Sequence, residues 1–123
     1  MSGINFSKVV FDTNAFIYFI GGDKRLEKYS TTPIYISEFT EMELKGRFGI
    51  SKKELIQLER ILEDCTILSF NHSIKKTAIA IRNKKRIKLP DALIAATAIW
   101  IGLPLVSSDG DFKNISGLNL LTF

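Results

Sequence analysis

Residues 8–20, Lys8-Val9-Val10-Phe11-Asp12-Thr13-Asn14-Ala15-Phe16-Ile17-Tyr18-Phe19-Ile20, carry the reading on which the fold turns. Lys8 to Phe11 is a short β-type run that stops at an acid, Asp12. Thr13 to Ile20 then reads as a helix, and Gly21-Gly22-Asp23 breaks it. The unit is strand, acid, helix, and strands and helices go on alternating downstream. After a polar connection to Pro33, Ile34-Tyr35-Ile36 is a second strand. Ser37 is placed to cap a helix through Glu43 and Leu44 toward Gly46 or Gly49. Ser51-Lys52-Lys53-Glu54 has the capping-box pattern, and Leu55, Leu58, Ile61 and Leu62 follow at helical spacing. Thr66 to Phe70 is a third strand, and Asn71 caps a helix through Ile74, Ala78 and Ile81 to about Arg86. Pro90 pushes Leu89 out of helical geometry and starts the next helix. Asp91 to Ile101 is apolar nearly all round and therefore buried. Leu103 to Ser107 and Leu118 to Phe123 supply the last two strands.

Short strands separated by helices imply an α/β fold, with a parallel sheet covered on both faces. The 123 residues suffice for one domain with a real core. A composition 46% hydrophobic and 24% charged is that of a globular protein. A single cysteine, Cys65, cannot form an intramolecular disulfide. The N-terminus lacks the basic-then-apolar run of a signal peptide, and the apolar stretch from Ala92 to Val106 falls short of a membrane span. The expected location is cytoplasmic, with no membrane partner.

In open parallel sheets the site lies beyond the carboxyl ends of the strands, and several acids fall there. Asp12 directly follows the first strand, and Asp109 and Asp111, in Ser107-Ser108-Asp109-Gly110-Asp111, follow the fourth. Asp91 opens the buried helix, where free N–H groups and the helix dipole favour a carboxylate, so a capping role is its other reading. Glu43 depends on a helical wheel. Glu38, Glu41 and Lys45 fall within about 60° of one another, whereas Phe39, Met42 and Gly46 mark a different side, with Glu43 about 40° from Phe39. Glu43 is thus expected at the margin of the packed face, where a bound cation, a base or a water pocket would relieve its desolvation.

Carboxylates that converge repel each other unless protons or cations compensate. All-oxygen donors without His or Cys favour Mg²⁺ or Mn²⁺ over zinc, and His72 and Cys65 have no second soft ligand near them in sequence. Neither a Walker loop nor a Gly-rich dinucleotide turn is present. The chemistry that fits is metal-assisted phosphodiester hydrolysis. The net charge of +4 is unevenly spread: from Cys65 to Pro90 there is no acid, yet Lys75, Lys76, Arg82, Lys84, Lys85, Arg86 and Lys88 lie there. That run suits either phosphate binding or an ordinary solvated helix face.

Val9-Val10-Phe11-Asp12-Thr13-Asn14, the segment Ile36-Ser37 through Thr40 to Glu43-Leu44 and Gly46, Lys88-Leu89-Pro90-Asp91-Ala92-Leu93-Ile94-Ala95-Ala96-Thr97-Ala98, and Leu105-Val106-Ser107-Ser108-Asp109-Gly110-Asp111-Phe112 occur in this order. Together they resemble the motifs of PIN-domain nucleases, specifically the VapC-type toxins of toxin–antitoxin pairs. The resemblance implies that Asp12, Glu43, Asp91 and Asp109 are catalytic metal ligands for Mg²⁺ or Mn²⁺, and that Asn14 supports Asp12. Ser107 stands where the family has Thr and keeps the hydroxyl. The pattern leaves open whether Asp109 or Asp111 is the fourth acid; Asp109 is preferred because it is nearer the strand end, with Asp111 in a supporting role.

The implied fold is a single PIN-like domain over residues 1–123, with a sheet of about five parallel strands and helices on both faces. The implied activity is endonucleolytic cleavage of RNA. A small antitoxin protein is the implied partner, and a homodimer the implied assembly. Lys84, Lys85, Arg86 and Lys88 then acquire a use, gripping phosphates that flank the cut bond. Two rival folds lack a working residue: a haloacid-dehalogenase-like phosphatase needs an acid where Asn14 stands, and a receiver domain needs an Asp after its third strand, where Phe70-Asn71 stand. The alternative of a different class is a catalytically degenerate PIN-like module that binds RNA or protein without cutting.

Overall fold

The structure, a computed structural model, describes residues 7–123. Strand β1 (Val9–Phe11) leads into α1 (Thr13–Ile20) and a 3₁₀ turn (Lys24–Tyr29). Then come β2 (Ile34–Ser37), α2 (Glu38–Lys45), α3 (Lys52–Leu62), β3 (Thr66–Leu68), α4 (His72–Lys84) and α5 (Leu89–Ile101). The chain finishes with β4 (Leu105–Val106), a short 3₁₀ turn (Gly110–Phe112) and β5 (Leu120–Leu121). The five strands form one sheet in the order β3-β2-β1-β4-β5, with every pairing parallel.

Side-chain alternation along the strands divides the interior into two layers. Val9 and Phe11 point to a core shared with Ala15, Phe16, Leu26, Leu44, Leu58 and Leu62, from α1, α2, α3 and the first 3₁₀ turn. Val10 points the other way, into a core made with Ile74, Ala78 and Ile81 of α4 and the apolar face of α5. A sheet sealed on both sides needs near-continuous apolar strands, and Val9-Val10-Phe11 and Leu105-Val106 are all fully buried. The chain runs outward from β1 through β2 to β3, then returns by way of α4 and α5 to pair β4 with the other side of β1. The strand order therefore reverses between β1 and β4, where open α/β sheets form their crevice.

Several boundaries differ from the sequence reading. The third strand ends at Leu68 instead of Phe70, because the Phe70 N–H donates to the Glu38 carboxylate (2.5 Å) rather than to a strand. Helix α4 stops at Lys84 rather than near Arg86. Leu89 is not expelled from α5; it is the first helical residue, with extended Lys88 as N-cap and Pro90 second. Proline is tolerated there because first-turn N–H groups have no partner within the helix. On α2 the buried residues are Thr40 and Leu44, while Met42 is 56% exposed. The packed side is therefore not the one Met42 was expected to mark, and Glu43 is exposed instead of partly desolvated. With only Phe39, Met42 and Leu44 as large apolar residues, α2 has too few to define a stripe.

Candidate active site

At the β1–β4 reversal, Asp12 ends its strand and caps α1. Its carboxylate is 5% exposed and takes two hydrogen bonds, from the Ala15 N–H (2.8 Å) and the Ser107 hydroxyl (2.5 Å). Burial pushes its pKa up; the bonds from Ser107 and Ala15 oppose this, and the charges of Asp109 and Glu43 add to it. Ser107, fully buried at the end of β4, uses its hydroxyl twice, donating to Asp12 and accepting from the Asp109 N–H (3.0 Å). One serine thus ties the first strand's acid to the loop bearing the later ones. Asn14 is exposed, and among the described residues the polar support of Asp12 comes from Ser107 and Ala15 instead.

Asp109 caps the 3₁₀ turn, its Oδ1 accepting from the Asp111 N–H (2.9 Å), and Phe112 anchors that turn in the core. Asp91 lies in the first turn of α5, which has no side-chain cap bond, so its carboxylate does not cap that helix. Asp91, Asp109 and Asp111 each bring one carboxylate oxygen within 4.8 Å of the others. Asp91 feels this most. Its pKa is pushed up to about 6 by burial first, then by the charges of Asp109, Asp111 and Asp12, with Lys88 alone opposing. Three hard oxygen donors with one cation nearby suit Mg²⁺ or Mn²⁺. The choice between Asp109 and Asp111 is not forced by this geometry, since both contribute an oxygen.

Glu43 stands at the rim. It is exposed and accepts from the Thr13 hydroxyl (2.5 Å), which also bonds the hydroxyl of buried Thr40 (3.1 Å). Neither threonine was singled out from sequence, although Thr13 follows Asp12 and Thr40 precedes Glu43 by one helical turn. Of the basic residues, Lys84, Arg86 and Lys88 are exposed and Lys85 is half-buried. Lys84, Lys85 and Arg86 line a shallow depression at the α4–α5 turn together with Arg82, whose Nε donates to the Ile87 carbonyl (3.2 Å).

The PIN domain family model matches residues 9–118. No curated protein matches the chain by sequence. Among solved structures, a chain of a toxin–antitoxin complex from Klebsiella pneumoniae is 29% identical at a TM-score of 0.79, covering 93% of this chain and 96% of that one. A chain of VapBC2 from Rickettsia felis, bound to a DNA fragment from its promoter, is 26% identical at a TM-score of 0.79, with coverage of 94% and 98%. A chain of VapBC-1 from nontypeable Haemophilus influenzae shares the fold at 22% identity and a TM-score of 0.81, with coverage of 94% and 97%. Four ordered motifs, a five-stranded parallel sheet with acids at its reversal point and a family match over nearly the whole length agree: this chain belongs to the PIN domain family.

Proposed function

We propose that the protein is a Mg²⁺- or Mn²⁺-dependent endoribonuclease that hydrolyses RNA phosphodiester bonds, acting as the toxin of a VapBC-type pair. The observation that carries this reading is the convergence of Asp91, Asp109 and Asp111 beside Asp12, with the Asp91 pKa raised to about 6 by burial and by their mutual repulsion. Asp12, Asp91, Glu43 and Asp109 would hold the cation; Asp91 and Asp109 already meet within 4.8 Å together with Asp111, and the charges of Asp109 and Glu43 reach Asp12. When bound, such a cation lowers the pKa of water and offsets charge building on phosphate oxygens. The protein's own groups do the rest. Ser107 keeps Asp12 and the Asp109 loop in one register. Above pH 6 Asp91 is ionised and completes the negative cluster. Lys84, Lys85, Arg86 and Lys88 bind phosphates on either side of the cut bond.

A small antitoxin protein is the expected partner, a reading supported by the toxin–antitoxin complexes among the similar structures. The working assembly is a homodimer and the compartment the cytoplasm. No described helix is long and apolar enough to cross a membrane. The test is cleavage of RNA by purified protein in Mn²⁺ and in EDTA. Cleavage should stop in EDTA and in Asp91→Asn; cleavage that persists in either rejects the metal-dependent mechanism. RNA binding without cleavage in Mn²⁺ would instead favour the non-cutting module.

A further inference from the structure

Asp12 and Asp109 have short side chains held by hydrogen bonds within their own turns. Asp12 is held by two hydrogen bonds and Asp109 by the Asp111 N–H, while Asp91 starts from the rigid first turn of α5. Glu43 is exposed on α2, one methylene longer, and free rotation of its side chain would scatter its carboxylate. Among the described residues, the hydrogen bond it receives from Thr13 is the contact that fixes it.

We propose that Thr13, itself seated by the buried hydroxyl of Thr40, is the positioning residue that holds the Glu43 carboxylate at the metal site. This rests on the metal-nuclease reading above. The direction of the bonds follows from their chemistry. An ionised carboxylate only accepts, so Thr13 gives its one hydroxyl proton to Glu43 across 2.5 Å. Its oxygen is then the acceptor in the 3.1 Å contact with Thr40, and Thr40 is the donor. Thr40 is fully buried and precedes Glu43 by three residues on α2, so the two share a helix side and Thr13 meets both. A β-branched side chain has few χ1 states, so Thr13 is a stiff strut. It is also the first residue of α1, directly after the Asp12 cap. The helix terminus that anchors Asp12 is therefore also the one to which Glu43 is tied.

The experiment measures Mn²⁺ affinity of the purified protein by calorimetry, alongside RNA cleavage and thermal melting. Thr13→Val should weaken Mn²⁺ binding and kcat/KM by about 10-fold or more, the usual effect of removing a group that orients a metal ligand. Thr13→Ser, which keeps the hydroxyl, should restore both. In a Glu43→Gln background Thr13→Val should have no further effect on Mn²⁺ affinity, because the group it positions has lost its charge. Thr40→Val leaves Thr13 in place and removes its donor; it should weaken Mn²⁺ binding several-fold, again only when Glu43 is intact, and it decides the matter if Thr13→Val melts below the assay temperature. Wild-type affinity in both threonine variants, or an equal loss with and without Glu43, overturns the proposal. Asp91→Asn separates the two levels: if it leaves Mn²⁺ binding unchanged, the metal-site reading has failed, whereas if it weakens binding and neither threonine variant does, only the role of Thr13 has failed.

Discussion

Asp91→Asn should stabilise the metal-free protein. In the folded chain the Asp91 pKa stands at about 6 against an ordinary value of 3.8, so the folded state holds its proton more tightly than the unfolded state. Below pH 3.8 the carboxyl is neutral in both states and costs nothing. As pH rises toward 6 the unfolded chain has already ionised, and folding forces charge into a half-buried cluster that includes Asp109 and Asp111. Stability is lost across that window and stays lost above it. At full weight the shift corresponds to about 3 kcal/mol; part of the carboxylate meets water, and screening reduces this to about 1–2 kcal/mol. Asparagine keeps the shape and does not titrate. In EDTA at pH 8 the variant should therefore melt roughly 3–8 °C above wild type. At pH 4 the two curves should nearly coincide. Adding Mn²⁺ should reverse the order, because a cation that binds only the folded wild type stabilises it by mass action. Paired melts at the two pH values, with and without Mn²⁺, check all three statements. A variant no more stable than wild type at pH 8, or a gap that persists unchanged at pH 4, would refute the charge-crowding argument.

Other outcomes follow from the same geometry. Ser107→Ala removes one bond to Asp12 and strands the Asp109 N–H, so denaturant unfolding should show a loss of about 1–3 kcal/mol. Titration of Asp12 followed by NMR should move further upward in that variant, since the Ser107 bond is what chiefly lowers it. Phe112→Ala should cost about 3–5 kcal/mol, because the ring is 1% exposed and pins the turn that carries Asp109 and Asp111. Mn²⁺ titration should show weaker binding in the same variant at temperatures where it remains folded. Lys84→Glu with Lys85→Glu should weaken RNA binding and flatten the slope of log affinity against log salt by about 0.7 for each phosphate no longer neutralised. An unchanged slope would remove these lysines from the RNA path.

Strand–helix alternation was legible because it is written in local periodicity. The capping box at Ser51 and Glu54 and the Asn71 cap formed as read, each needing only residues three apart. The strand-end rule and the motif around Pro90 singled out Asp12 and Asp91, and the structure sets them near enough for the charge of Asp12 to act on Asp91. Glu43 was expected at the margin of the packed face, but its helix buries Thr40 and Leu44, and what Glu43 meets is a hydroxyl on a different helix, 30 residues earlier. Asn14 shows the converse. Its place two residues after Asp12 suggested support, but helical rotation carries it to the surface, and the hydroxyl that supports Asp12 comes from Ser107, 95 residues away.

The sequence by itself determined the element order, the two-sided burial of the strands and the acids that end them, because these depend on side-chain period and on caps a few residues long. Only the tertiary structure decided which acids meet. That required β4 to lie against β1 and not beyond β3, so that the Ser107–Phe112 turn came to face Asp12 and the start of α5. Strand order is settled by nonlocal packing on both faces of the sheet, and no local stretch of residues encodes it. The grouping of Asp111 with Asp91 and Asp109, and the path from Thr40 through Thr13 to Glu43, exist only once that packing is complete.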